Sequence, residues 1–147
     1  MLTYKYCDLF HDLKRDHLIF HVVNSVGAWG AGFVVPLGQH FPEAQQAYLD
    51  IQEYRLGEVQ FITNEDIIVI ANAIAQKGCM SYDNPKPLSY KHLKRCMKIA
   101  GDFCRLNELA IQAPKFGSGL AGGNWEIIEN LIKYIWKDIN VTIYIKE

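Results

Sequence analysis

Apolar residues follow two rhythms along this chain. Short runs that are apolar at almost every position, rich in Ile, Val and Phe and bounded by charges or turn residues, predict buried strands. They are residues 18–24 (LIFHVVN), 58–63 (EVQFIT), 66–74 (DIIVIANAI), 109–114 (LAIQAP) and 141–145 (VTIYI), with 3–6 (TYKY) as a candidate edge strand. Between them the period lengthens to that of a helix. Ala44, Ala47, Tyr48, Ile51 and Tyr54 share one face behind Pro42, a residue suited to a first helical turn. Leu93, Cys96, Met97, Ala100, Phe103 and Cys104 form a second stripe, and Ile128, Leu131, Ile132 and Ile135 a third behind Asn124, the expected N-cap.

Strands alternating with helices predict a three-layer α/β domain around a mostly parallel sheet. The 147 residues form one expected domain, 1–147, long enough to bury about two-thirds of its unfolded surface. Charged residues make up 21% and the formal net charge is −1, with no acidic or basic block to favour nonspecific nucleic-acid or membrane binding. The four cysteines, Cys7, Cys79, Cys96 and Cys104, have no metal-ligand spacing and read as reduced core thiols, so neither a metal nor a cofactor is expected. With no signal-peptide pattern and no window of about 18 apolar residues, a cytoplasmic location is the expectation. Residues 76–89 (QKGCMSYDNPKPLS) are the longest expected loop, a length that is often functional.

Candidate chemistry sits in two glycine-rich stretches that each follow a strand and precede a helix. In KFGSGLAGGNWE, residues 115–126, the spacing Gly117-x-Gly119-x-x-Gly122 is that of a dinucleotide-binding fingerprint. A Rossmann unit needs further strands after it, and only one, ending near Ile145, follows here. In HVVNSVGAWGAGF, residues 21–33, Gly27, Gly30 and Gly32 are out of Rossmann order. Strand-to-helix loops of a parallel sheet gather at its carboxyl edge, so the pair can hold a diphosphate from two sides through backbone N–H groups. Neither loop has a basic residue inside it; Lys115 lies just outside.

With KYCDLF near the start, NSVGAWGAGF and KFGSGLAGGNWE, the chain resembles the macro domain family, the ADP-ribose-binding fold, over nearly its full length. The resemblance implies a three-layer α/β/α fold with a mixed, mostly parallel sheet of about six strands, and ADP-ribose or a derivative as ligand. It implies that Asp8, beside Leu9, accepts a hydrogen bond from the adenine amino group, and that Asn24 contacts the distal ribose. It further implies that Gly30, Ala31 and Gly32 cover that ribose and its phosphate, while Phe116, Gly117, Ser118, Gly119, Leu120, Ala121 and Gly122 surround the diphosphate.

Within the family, His21, Asn24, Trp29 and Gly32 match the branch that holds the fungal ADP-ribose 1''-phosphate phosphatase. The terminal ADP-ribose glycohydrolase branch carries an acid where this chain has Ala121. His21 is the first general acid/base candidate, since an imidazole three residues before Asn24 suits the terminal phosphate or its attacking water; a satisfied core histidine is the alternative. Lys77 is the second, placed near the glycohydrolase branch's catalytic lysine. Trp29 is expected to shield the ribose end and Trp125 to anchor the helix behind the second loop. The implied activity is hydrolysis of ADP-ribose 1''-phosphate, with removal of ADP-ribose from a modified protein or nucleic acid, or simple recognition of ADP-ribose, as the alternatives. Oligomeric state has no sequence signal.

Overall fold

The computed structural model describes residues 1–146. Its elements are β1 (Leu2–Lys5), a 3-10 turn (Leu9–His11), β2 (His17–Asn24), α1 (Val34–His40), α2 (Pro42–Leu49), β3 (Val59–Thr63), β4 (Ile68–Gln76), α3 (Tyr90–Asn107), β5 (Ala110–Pro114), α4 (Trp125–Ile135) and β6 (Val141–Tyr144). The six strands lie in the order β1-β6-β5-β2-β4-β3. All neighbours are parallel except β3, which forms an antiparallel hairpin with β4. The expected mixed, mostly parallel α/β fold is therefore the one observed.

Central strands read as continuous apolar runs because both of their faces are covered. Leu18 and Phe20 of β2, with Val69, Ala71, Ala73 and Ala75 of β4, face the stripes of α3 and α4. Trp136 closes this layer: its ring meets Phe20 edge-on at 5.0 Å, and its indole N–H donates to the Met97 carbonyl at 2.8 Å. Ile19 and Val23, with Ile68, Ile70 and Ile74, face α1 and α2 instead. His21 and Asn72 interrupt that second face at paired positions of β2 and β4.

Several boundaries differ from the sequence reading. α2 stops at Leu49, so Ile51 and Tyr54 lie beyond the helix and pack on the same core from the following segment. β4 begins at Ile68, because the Asn64 side chain takes the amides of Asp66 and Ile68 and turns the chain there. Ile67 consequently adopts a φ of 56°. α1 contains Pro36 and Gly38, which hide its helical period. Cys96 and Cys104 are buried thiols pushed up to about 12 by desolvation, but Cys7 and Cys79 are exposed, which corrects the expectation of four core thiols. Cys7 follows an edge strand and Cys79 sits in a surface loop, positions where no second layer covers the chain.

β5 and β2 are adjacent and parallel, so the loops that follow them leave the same edge of the sheet side by side. This juxtaposition creates the site.

Candidate functional site

The loop after β2 is shaped by the side chain of Asn24. Its Oδ1 accepts the amides of Val26 and Ala28, both at 3.1 Å, and its Nδ2 donates to the Ala28 carbonyl at 2.8 Å. An asparagine that closes a turn on its own backbone fixes the loop without help from a sheet ladder. A register shift between Val23 and Asn24 starts the turn, and Ser25 N–H donates to the Gln76 carbonyl at 2.9 Å, tying the loop to the end of β4. Beyond it the chain is open to solvent at Gly30, Ala31 and Gly32.

After β5, the second loop folds on itself through Gly122 N–H to the Gly119 carbonyl at 3.0 Å and Gly123 N–H to the Gly117 carbonyl at 2.8 Å. Asn124 then caps α4 by accepting from the Ile127 amide. Leu88 N–H donates to the Ala121 carbonyl, and Tyr90 Oη accepts from the Asn124 amide, so Leu88 and the first residue of α3 hold the loop in place. The two loops approach each other where a Cβ on Gly32, whose φ is +81°, would stand 3.4 Å from Leu120 Cδ1. Between them lies a cleft of about 580 Å³.

The cleft is lined by His21, Asn24, Gly30, Ala31 and Gly32 from one side and by Phe116, Gly117, Gly119, Leu120 and Ala121 from the other. Among the described residues, the amides of Gly30, Ala31 and Gly32 and those of Gly117, Ser118, Gly119, Leu120 and Ala121 donate to no backbone carbonyl. Two banks of unspent N–H donors thus flank one cleft. No Asp or Glu is among its lining residues; Lys115 is the lining cation, with its ammonium 5.6 Å from the centre of the Trp125 ring.

His21 lines the cleft at 2% exposure. Its Nε2 lies 2.5 Å from Asn72 Oδ1. Asn72 Nδ2 donates to the Ala44 carbonyl and to Gln60 Oε1, both at 3.1 Å, and Gln60 Nε2 donates to the Ala47 carbonyl. That chain of donors leaves Asn72 Oδ1 as an acceptor, so His21 carries its proton on Nε2. Nδ1 is left as a buried lone pair without a partner. Desolvation pushes the imidazole down to about 4, against a smaller upward pull from Asn72, so it is neutral at neutral pH. A neutral imidazole with an unpartnered ring nitrogen has the form of a proton acceptor.

Other sequence candidates fall outside the lining. Asp8 caps the 3-10 turn by accepting from Phe10 N–H at 3.0 Å, and its Oδ2 lies 3.4 Å from the Lys146 ammonium. The Phe10 amide leads the contacts that hold the carboxyl below its ordinary range. Its turn, which includes the buried Leu9, reaches the cleft wall through Phe10, whose ring stacks on Phe33 at 5.4 Å. Lys77 is exposed and is not a lining residue, and neither Ser118 nor Gly122 lines the cleft. Trp29 is no shield over a ribose: it is buried beneath the first loop, 5.3 Å from Tyr48 and edge-on to His21 at 5.8 Å. It belongs to the core layer that Leu37 of α1 and Ala44 and Tyr48 of α2 form beneath the loop. Trp125 behaves as expected, its indole N–H donating to Tyr4 Oη at 2.9 Å and its ring meeting Phe116. The sequence reading missed Gln76, Cys79, Met80 and Phe33 as lining residues. The first three follow from β4 ending beside β2, a tertiary fact, although the length of the 76–89 loop had singled out that region.

No family model matches the chain. A solved macrodomain protein from Streptomyces coelicolor is 31% identical, with a TM-score of 0.82 and 98% of each chain covered. The fold is shared with Thermosipho africanus DarTG in complex with ADP-ribose, at 19% identity and a TM-score of 0.80, over 98% of this chain and 41% of that one. ADP-ribose 1''-phosphate phosphatase from Candida glabrata is 23% identical over 86% of this chain and 88% of its own.

Proposed function

Since this chain belongs to the macro domain family, we propose that its cleft binds ADP-ribose and that the protein hydrolyses an ADP-ribose derivative, in the first instance the 1''-phosphate, to ADP-ribose and phosphate. The observation that carries the reading is the pair of loops with unspent amides on either side of one cleft. A diphosphate needs several N–H donors and little bulk around them. Glycine geometry supports this. Gly117 and Gly122 have positive φ and are needed by the turn itself, whereas Gly30 and Gly119 do not, and a Cβ on either would meet no atom within 4 Å. The bare backbone at those two positions is explained by a ligand that lies against it.

In this reading Asp8 takes the adenine amino group, the second loop takes the diphosphate, and Asn24 with Gly30 to Gly32 surrounds the distal ribose. Lys115 adds positive charge to the second loop. His21, neutral, takes the proton of the attacking water on the unpartnered Nδ1. As the water oxygen bonds to phosphorus and the bond to the 1''-oxygen breaks, that proton passes to the departing 1''-oxygen, which leaves as a hydroxyl of ADP-ribose, and the loop amides stabilise the charge that develops on phosphate. The related phosphatase from Candida glabrata favours the 1''-phosphate as substrate. Without a lining carboxylate, and with Lys77 away from the lining, the glycohydrolase reading has less chemistry to draw on. Exposed Met80 and Leu120 at the cleft favour a place for a larger attached group, which keeps a modified macromolecule as the second reading.

The test is to incubate the protein with ADP-ribose 1''-phosphate and, separately, with ADP-ribosylated protein and DNA, and to follow phosphate and ADP-ribose. Phosphate release at the faster rate is expected. Faster cleavage of a macromolecule replaces the first reading by the second, and tight ADP-ribose binding with no turnover makes the protein a reader. A companion prediction concerns Gly119→Val. The variant should melt at the wild-type temperature but bind ADP-ribose about tenfold more weakly or worse, because one charge-assisted contact is worth about 1.5–3 kcal/mol. Calorimetric titration showing unchanged affinity would count against the backbone cradle.

A further inference from the structure

Tyr48 does not line the cleft, yet its hydroxyl is the contact beneath the first loop. The side chain rises from α2, is fully buried, and places Oη 2.7 Å from both the carbonyl oxygen and Oδ1 of Asn24. One hydroxyl proton serves these two acceptors. Desolvation raises the phenol above its ordinary range, so the group remains a neutral donor. Tyr54 completes the support: its hydroxyl donates to the Tyr48 carbonyl at 3.0 Å and would lie 2.9 Å from a Cβ on Gly27. The ring of Tyr48 packs between Trp29 and Tyr54, at 5.3 and 5.0 Å.

We infer that Tyr48 is a positioning residue for the ligand site: its hydroxyl, joined to the carbonyl and the side chain of Asn24, sets the conformation of the loop that covers the distal ribose. The argument lies in how the Asn24 amide is used. Oδ1 receives two backbone N–H bonds and the Tyr48 hydroxyl, and one Nδ2 hydrogen goes to Ala28. Only the second Nδ2 hydrogen is left to meet a ligand. A ligand contact made by one remaining hydrogen depends on the rotation of the amide, and among the described residues Tyr48 is the side chain from another element that holds that amide. Loss of the hydroxyl leaves the Asn24 oxygen with weaker constraint and the loop free to rotate it, while the ring still fills the core.

This rests on the ADP-ribose reading of the cleft. The experiment is Tyr48→Phe, with calorimetric titration of ADP-ribose and of AMP, which lacks the distal ribose, together with amide hydrogen exchange. ADP-ribose should bind about tenfold more weakly and AMP within twofold of wild type, since a buried hydrogen bond is broken and the loss is confined to the first loop. Exchange at Val26 and Ala28 should quicken, with β2 and β4 unchanged. A general loss of structure would move both ligands together, and that outcome overturns the inference, as does wild-type affinity for ADP-ribose in the variant. If the wild-type protein binds neither ligand, the ADP-ribose reading fails. Exchange then decides Tyr48 by itself: unchanged rates at Val26 and Ala28 overturn its role, and quickened rates support it. Gly27→Ala, which pushes a methyl group toward the Tyr54 hydroxyl, disturbs the same loop while keeping the Tyr48 hydroxyl. It should reproduce the selective loss of ADP-ribose, and equal loss of AMP would again overturn the inference.

Discussion

Folding stability is expected to fall by about 3 kcal/mol between pH 6.5 and pH 4 on account of one side chain, His21, whose imidazole is pushed from 6.5 down to about 4 by burial. The sign follows from proton counting. Below pH 6.5 the unfolded chain protonates this imidazole while the folded protein holds it neutral, so protons favour the unfolded state. The stability is complete above pH 6.5 and is lost as pH falls through the folded value of about 4. Asp12, held at about 2 first by the Tyr144 hydroxyl and then by Lys5, titrates in a lower window and separates from His21. Urea denaturation of wild type and His21→Gln at pH 7, 5.5 and 4.5 checks this. The variant should show a flatter slope, and parallel curves would remove His21 as the cause. Catalysis gives a second readout of the same residue. If neutral His21 accepts the proton of the attacking water, phosphate release should stay flat from pH 7 down to about 5, and His21→Ala should lower kcat by about 10²–10⁴-fold. Its ADP-ribose affinity should change far less.

Gly123→Ala is expected to weaken ADP-ribose binding by about a hundredfold or more. A methyl group there would stand 2.4 Å from the Gly117 carbonyl oxygen and 2.4 Å from Leu88 Cδ2. Leu88 can rotate, but the carbonyl belongs to the loop and can move only if the loop moves. The Gly123 N–H to Gly117 bond that closes the loop would break with it. Losing two charge-assisted amide contacts to a diphosphate, each worth about 1.5–3 kcal/mol, accounts for the size of the effect. Phe116 joins the start of the loop to Phe20 and Trp136 at 4.8 and 5.8 Å, but the strands and helices lie outside residues 117–123, so circular dichroism should remain native while titration loses the ligand. Native affinity in a folded variant would mean that the second loop does not depend on this closure.

Gly123 also shows where reading the sequence stops. It stands outside the Gly117-x-Gly119-x-x-Gly122 spacing that drew attention to the loop, yet it is more tightly enclosed than Gly119, which is open. Spacing reveals that a chain turns and approaches something; whether that something is its own carbonyl or a ligand depends on the folded neighbours. Trp29 makes the same point in the opposite direction. A tryptophan between glycines looks available to a ligand, but α1 and α2 lie beneath it and bury it.

The sequence by itself determined the strands, the three helical stripes, the two glycine loops and their attachment to strands, because alternation, period and turn residues are local properties of the chain. It also placed His21 on the face shared with Val23. The tertiary structure decided that β2 and β5 are neighbours, that Gln76 and Met80 join the cleft while Lys77 does not, and that α2 ends before Ile51. It decided as well the state of His21, since desolvation and the Asn72 contact come from strands 51 residues apart in the chain. Those outcomes depend on which surfaces exclude water together, a property of the assembled layers that no local period encodes.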